Sequence, residues 1–468
     1  VRTFVSMDPA QGATPLSELT SEDGTAVEAE LEQLNEDTVA LLIYTSGTTG
    51  KPKGAQLDHG NMLAVTQGGT QHFAFLAGSD AEYRLVSYLP LAHVAEQMFT
   101  MMMAVDLGGV VYFCPVLEDM KTVLPVARPT IFVGVPRVWE KFQAALSARL
   151  AEATGVKKKL AQWALRTELA GFDADVARGG AQKVGFARGL ARRLVVDKIK
   201  AKLGFDQLQL ACAGAAPASV ECMRFFASLG IVIHEGFGMT ETAGAVIASR
   251  YMQPVFGAVG VPFPGIEAKI ASDGELLLRG RAMTRGYHQL PAETADLLDA
   301  DGWLHTGDLG SMDPDGSIRI TGRKKEIIIT AGGKNVAPTE IEAKLQGIDG
   351  IMQAVVVGDR RPYLVALLTL DPDARARIAA EYGVSPEALG ETPGFLTAVQ
   401  EGIDRVNAGL ARYQTVKKFA LLPREFSVDE GELTPSMKLK RPVIHARYED
   451  IVSGLYDAGA AAPKLTAV

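Results

Sequence analysis

Short apolar, β-branched runs alternate with helix-length segments from residue 39 to about residue 255. The run at 39–44 is unbroken by polar residues, the pattern of a strand buried on both faces. Residues 85–88, 110–113, 130–134, 208–211 and 231–234 read as further strands, each with Pro or Gly close by, and 91–105 and 218–229 as helices between them. This alternation predicts an α/β fold, with a doubly wound, mostly parallel sheet in a large domain and ligands at the carboxyl ends of its strands. From 256 to 322 the texture changes to short strands and tight turns, with Asp313-Pro-Asp-Gly316 a hairpin signal, so a small β-rich subdomain follows. A new unit begins near Gly322-Arg-Lys-Lys-Glu326, with strands at 327–330, 354–357 and 364–370 and a helix opened by a capping box of Thr339 and Glu342. The expected organisation is a large domain at 1–322, a hinge at 323–325, a small α+β domain at 326–457 and a frayed tail at 458–468.

Residues 139–203 are long, helical and basic, carrying Lys157, Lys158, Lys159, Arg188, Arg192, Arg193, Lys198, Lys200 and Lys202. Two readings stand, a solvated helical face and a surface that approaches anionic lipid. With 468 residues, 47% hydrophobic and 22% charged, the chain can bury a large core in roughly two to four domains. A net charge of -8 argues against nucleic acid as a partner. Cys114, Cys212 and Cys222 form no CxxC pair, which points to a reducing, cytoplasmic setting without structural zinc. The most apolar window, 98–113, is broken by Asp106, Gly108 and Gly109, so no transmembrane span is expected. The chain starts at Val1 without a signal-peptide pattern.

The chemistry-bearing stretch follows the first strand. Thr45, Ser46, Gly47, Thr48, Thr49, Gly50, Lys51, Pro52, Lys53 and Gly54 combine backbone freedom, hydroxyl donors and two ammonium groups, the makings of a polyphosphate cradle. The Walker A pattern fails, because Thr45 and Pro52 occupy positions it reserves for Gly and Ser/Thr. A solvated Gly/Thr turn would need neither so many donors nor two lysines.

Gly214, Ala215, Ala216 and Pro217 follow a strand, where small residues let a flat ring lie on backbone; ordinary tight packing explains them equally well. Glu235, Gly236, Phe237, Gly238, Met239, Thr240 and Glu241 fail as a dinucleotide fingerprint, with Glu241 in place of the third Gly. As a nucleotide site they make sense. Phe237 offers a face to a base, Thr240 a donor to phosphate, and Glu241 a hard carboxylate for Mg²⁺. Asp308 ends a Thr-Gly turn and could accept two vicinal hydroxyls, although such an Asp is more often a turn acceptor; Arg323 follows it. Composition alone assigns nothing to Lys438, a lysine among lysines, and makes His93 a packed core histidine.

Taken in order and spacing, these segments resemble the adenylate-forming superfamily from residue 39 to 457, and most closely its long-chain fatty acyl-CoA synthetases. Leu89-Pro-Leu-Ala-His93, Val135-Pro-Arg-Val-Trp-Glu-Lys141 and Thr434-Pro-Ser-Met-Lys-Leu-Lys-Arg441 carry that likeness. The resemblance implies a mobile C-terminal domain that docks in two orientations, with ATP, Mg²⁺, CoA and a fatty acid as cofactor and substrates. It places residues 45–53 on the β- and γ-phosphates, and Gly214, Ala215, Ala216, Pro217 and Phe237 around adenine. It places Thr240 at the α-phosphate, Glu241 on Mg²⁺, Asp308 and Arg323 on the ribose, Lys438 between carboxylate and α-phosphate, and Lys325 at the hinge. Gly332, Gly333 and Lys334 fall in the segment lining the pantetheine tunnel, and His93 joins the catalytic group. Phe237, Met437 and Lys325 depart from commoner Tyr, Gly and Asp, the last leaving the hinge mechanics open. Relatives carry more large domain before the phosphate loop, so the acidic residues 1–38 suggest a fragment. A ligase for another acid or a carrier-protein acceptor, and a catalytically dead nucleotide-binding scaffold, remain the alternatives. Contact with the inner face of a membrane would follow from the lipid reading of 139–203.

Overall fold

The computed structural model describes residues 5–6, 14–15, 25–45, 52–76, 82–180, 184–216, 218–434 and 438–457. The first apolar run forms the strand Val39–Thr45, paired antiparallel with Lys53–Asp58, so Thr45 faces Lys53 across the hairpin mouth. It is not buried on both faces. Leu41 and Ile43 pack on the core while Leu42 and Tyr44 are exposed. In an antiparallel ribbon one face meets solvent, and an all-apolar run conceals that alternation.

The central sheet runs Val261–Pro262, Gly244–Ala248, Ile233–Met239, Leu210–Ala213, Ile131–Gly134 in spatial order. The last three strands are mutually parallel and the first two antiparallel. A parallel pair, Arg84–Ser87 and Val110–Phe113, adjoins it where Thr130 N–H donates to the Arg84 carbonyl at 3.0 Å. Helices cover both faces, which lets consecutive residues be apolar. Ile131 and Leu210 join Met62 and Val65 of the helix His59–His72 in one core. Their neighbours Phe132 and Ala211 join Trp139 and Phe226 in another. The expected helix at 91–105 is interrupted: Gln97–Met103 is π-helical, an extra residue per turn that periodicity does not announce.

In the β-rich part, Leu304–Met312 and Ile318–Arg323 form the hairpin whose turn holds Gly316 at φ +84°. The final unit has the sheet Ile351–Val357, Leu364–Leu370, Val416–Leu421, with separate cores on its two faces. The capping box of Thr339 and Glu342 does not form. The helix is Pro338–Gln346, its N-cap is Ala337, and no side chain caps it. Glu342 instead takes the Val356 N–H and both terminal nitrogens of Arg441, a charge-assisted pair stronger than a backbone cap. Among the described residues no helix is long and apolar enough to cross a membrane.

Candidate active site

The loops that leave the parallel strands Ile131–Gly134, Leu210–Ala213 and Ile233–Met239 all open into one cavity of about 3180 Å³, whose opposite wall belongs to the C-terminal unit. Thr45, Lys53, His93, Gly214, Ala215, Ala216, Glu235, Gly236, Phe237, Gly238, Met239, Thr240, Glu241, Asp308, Arg323, Lys325 and Lys438 all line it. Ser46, Gly47, Thr48, Thr49, Gly50, Lys51 and Pro217 lie outside the described residues.

The loop after Leu210–Ala213 carries strain. Ala215 adopts φ +70°, which costs a residue with a Cβ, and such strain gathers at ligand sites. A Cβ on Gly214 would stand 3.3 Å from the Gly236 carbonyl, so the two loops touch backbone to backbone. Gly238 is required more strictly, since a Cβ there would stand 2.0 Å from the Gly244 carbonyl. Beneath them Glu235 is buried, and desolvation pushes its carboxyl up to about 7.

Thr240–Thr242 is a single 3₁₀ turn closed by Ala243 at φ +56°, with the Thr242 hydroxyl donating to the Gly244 carbonyl at 2.7 Å. The turn presents Glu241, which is buried. Tyr287 donates its hydroxyl to Glu241 Oε1 at 2.6 Å, and Lys53 Nζ stands 5.0 Å over the same ring. Tyr287 therefore ties the hairpin of Val39–Thr45 and Lys53–Asp58 to the Thr240–Thr242 turn, and burial with the nearby Glu241 charge raises its phenol pKa. Sequence reading missed it. A tyrosine after Gly286, at φ +122°, was the sole signal.

Asp308 and Arg323 are cross-strand partners, and Arg323 Nε contacts Asp308 Oδ1 at 2.9 Å. Asp308 lines the cavity, and its Oδ2 is buried and has no hydrogen-bond partner among the described residues. Burial pushes this carboxyl up to about 6, outweighing the Arg323 and Lys438 charges.

Lys438 arrives from the C-terminal unit. Its N–H donates to Thr434 Oγ1 at 3.0 Å and its carbonyl accepts from the Thr434 N–H at 2.8 Å, which fixes the backbone below the side chain. The side chain keeps solvent access through the open cavity, yet protein surrounds it closely enough for burial to lower its pKa, with Arg323 adding and Asp308, Glu241 and Glu326 opposing. Arg441 anchors this segment, reaching Glu326 at 2.9 Å and Glu342 at 2.6 Å. His93 N-caps Val94–Glu96 by accepting the Ala95 N–H at Nδ1, 3.2 Å away. Burial and the Lys438 charge lower its pKa, so a neutral ring bearing its proton on Nε2 faces the cavity.

One element stands apart. Gly332, Gly333 and Lys334 lie in the turn joining Ile328–Ile329 to Asn335–Val336, away from the cavity lining, with Lys334 Nζ 6.0 Å over Tyr413. Lys325 sits exposed in the 3₁₀ turn Lys324–Glu326, where its neighbour Lys324 pairs with Asp273 at 2.6 Å and Glu275 at 3.0 Å. Arg137 of the large unit contacts Glu425 of the C-terminal one at 3.1 Å.

A cradle at the strand ends and a lysine borne by a separate unit are what a nucleotidyl-transfer enzyme needs, and comparison with known proteins decides the family. Residues 2–288 match the family described as AMP-binding enzyme, and 325–460 match the AMP-binding enzyme C-terminal domain. The chain belongs to the AMP-binding enzymes. This AMP-binding enzyme is 37% identical to the long-chain-fatty-acid–CoA ligase FadD15 of Mycobacterium bovis, over 93% of this chain and 72% of that protein. It is 35% identical to the long-chain-fatty-acid–CoA ligase ACSBG2 of Xenopus laevis, over 89% of this chain and 60% of that protein. Among solved structures it resembles the A domain of a carboxylic acid reductase from Segniliparus rugosus in complex with AMP and a co-purified carboxylic acid. The TM-score is 0.65 at 25% identity, covering 90% of this chain and 62% of that one. ATP-bound MatB from Rhodopseudomonas palustris shares the fold with a TM-score of 0.61 at 22% identity, over 89% and 69% of the two chains.

The residues present fit a nucleotide and its metal. The orphaned Asp308 Oδ2 is an acceptor awaiting a hydroxyl donor. Glu241 is a buried hard-oxygen ligand of the kind Mg²⁺ takes once or twice, with substrate phosphates supplying the rest.

Proposed function

We propose that this AMP-binding enzyme activates a long-chain fatty acid with ATP and transfers the acyl group to CoA. The observation that carries the reading is the convergence of Glu241, Asp308 and the C-terminal Lys438 on one cavity at the strand ends. The acid's carboxylate attacks the ATP α-phosphorus, pyrophosphate leaves, and the CoA thiol then displaces AMP from the mixed anhydride. Thr45 through Lys53 hold the β- and γ-phosphates, Gly214 through Pro217 with Phe237 enclose adenine, and Asp308 with Arg323 takes the ribose. Mg²⁺, when held by Glu241, neutralises phosphate charge. Thr240 donates to the α-phosphate, and Lys438 spans it and the incoming carboxylate. Tyr287 keeps Glu241 and Lys53 in register. Lys438 must then withdraw, and a turn about residues 323–325 would carry Gly332, Gly333 and Lys334 to the thiol's entry path.

Acid-dependent ATP–pyrophosphate exchange, run with acids from short to very long chain and followed by CoA-dependent AMP release, tests this. Exchange supported by long-chain acids and AMP release on adding CoA is the expected result. Exchange that no acid supports would favour a dead scaffold; exchange without CoA-dependent release would favour a carrier-protein acceptor.

Anionic membrane is the proposed partner of the basic helices. Lys157, Lys158 and Lys159 are exposed on Gly155–Ala177 next to Val156, itself 81% exposed, so charge and an apolar anchor share one helix end. Reversing the three charges, each worth about 1 kcal/mol near an anionic surface, is expected to lower binding to anionic vesicles by roughly a hundredfold or more at physiological salt. Unchanged co-sedimentation would remove the idea.

A further inference from the structure

Glu275 opens the strand Glu275–Gly280 and is buried, and the chemistry proposed above gives it no task. Its two oxygens have different partners. Oε1 accepts the Gly307 N–H at 2.8 Å, while Oε2 meets Lys324 Nζ at 3.0 Å and His305 Nδ1 at 3.2 Å. Gly307, at φ +71°, directly precedes Asp308, and Lys324 directly precedes Lys325. One carboxylate thus spans the turn that presents Asp308 and the turn Lys324–Glu326 where the two units join. Burial acts to raise this carboxyl, but the Lys324 ammonium, the Gly307 N–H and His305 outweigh it and hold it below its ordinary value, so it is charged at neutral pH.

The join is gripped on both sides. On the large-unit side Lys324 reaches Asp273 at 2.6 Å as well as Glu275. Asp273 is half exposed and its pair is worth little, whereas Glu275 is shut off from solvent, so the second pair is the one that holds. On the C-terminal side Glu326 is bound by Arg441, three residues beyond Lys438. Between the two gripped residues only Lys325 is left to bend. Hinges are a few residues at element ends that absorb changes in φ and ψ, and fixing both neighbours narrows those few to one.

We propose that Glu275 is a positioning residue for the adenylation step: it sets the Asp308 turn and, through Lys324, confines hinge bending to Lys325, so that Lys438 reaches the nucleotide in one orientation. The inference rests on the acid-activating reading above and deepens it. Glu275 acts through Asp308 and Lys438, not on the reacting atoms.

The test compares wild type, Lys324→Met, Lys324→Arg, Glu275→Gln and the double variant Glu275→Gln/Lys324→Met. Lys324→Met breaks only the hinge side. It is expected to lower kcat for acid-dependent pyrophosphate exchange about fivefold, while ATP binding by calorimetry and thioester formation from supplied acyl-AMP stay within about twofold of wild type. Lys324→Arg, which keeps the charge, recovers most of the rate. Glu275→Gln leaves an acceptor for Gly307 but no charge for Lys324, so its kcat falls at least as far. Because both residues act through one contact, the double variant loses no more rate than Glu275→Gln alone. Hydrogen exchange needs no acid: the amides of residues 323–327 are expected to exchange faster in Lys324→Met than in wild type, with the strands on either side unchanged. Should Glu275→Gln fail to fold, Lys324→Met carries the comparison, since Lys324 is half exposed. Equal losses in both half-reactions, additive losses in the double variant, or hinge amides that keep their wild-type hydrogen-exchange rates would overturn the proposal. A wild-type chain in which no acid supports pyrophosphate exchange would instead sink the enzyme reading, while the hinge amides still report whether Lys324 holds the join.

Discussion

Lys438→Ala is expected to lower acid-dependent ATP–pyrophosphate exchange by about 10²–10³-fold, some 3–4 kcal/mol, while thioester formation from supplied acyl-AMP survives. In the first step negative charge gathers on the α-phosphate oxygens. On the proposed reading, Lys438 is the cation that serves there and then leaves. Its backbone is clamped by Thr434, Arg441 ties the same segment to Glu326 and Glu342, and the side chain alone reaches toward Glu241 and Asp308. A compact ammonium on a flexible stem can follow both the carboxylate and the phosphate. Arginine, planar and larger, should restore little. The two half-reactions are measured separately, by exchange and by CoA-dependent consumption of acyl-AMP. An equal loss in both would contradict the assignment, because a residue confined to adenylation has no reason to slow thiolysis.

How much of this was readable from residues alone differs from one position to the next. The strand-end loops were legible because their chemistry is local: glycines beside hydroxyls, and a Phe, Thr and Glu within one short turn. Lys438 carried no local signal, being one lysine among several, and only the resemblance of its whole segment singled it out. Tyr287 escaped entirely. Its meaning depends on Lys53 and Glu241, which lie far from it in the chain and meet it only after the hairpin docks on the acidic turn. The strand Val39–Thr45 was found but its burial misjudged, since Leu42 and Tyr44 are apolar and nonetheless face solvent. The helix near 339 starts at Pro338, a residue pre-set for the first helical position, and Glu342, expected to cap it, is taken by the Val356 N–H and by Arg441, a hundred positions later. Local propensity is overridden where a distant charge offers a better partner.

Asp308→Asn should separate two effects of a buried carboxylate, weakening nucleotide binding while removing a pH-dependent cost to the fold. The carboxyl is raised from an ordinary 3.8 to about 6 by burial, so between those values the folded chain holds a proton that the unfolded chain has released. Stability from this group is therefore greatest at low pH and declines as pH rises through about 6. Roughly two pKa units correspond to an order of 3 kcal/mol. Nucleotide affinity runs the opposite way. Only the ionised carboxylate accepts two hydroxyls at once, so binding should weaken as pH falls below about 6. Losing hydrogen bonds to a charged acceptor costs about 1.5–3 kcal/mol, so Asp308→Asn is expected to reduce ATP affinity roughly 10–150-fold at neutral pH. The same variant should flatten the dependence of Tm on pH between about 4 and 6 relative to wild type. Calorimetric ATP titration and thermal unfolding across pH read the two effects independently. Wild-type ATP affinity in the variant would remove Asp308 from the ribose site, and an unchanged Tm slope would mean that its buried oxygen is solvated after all.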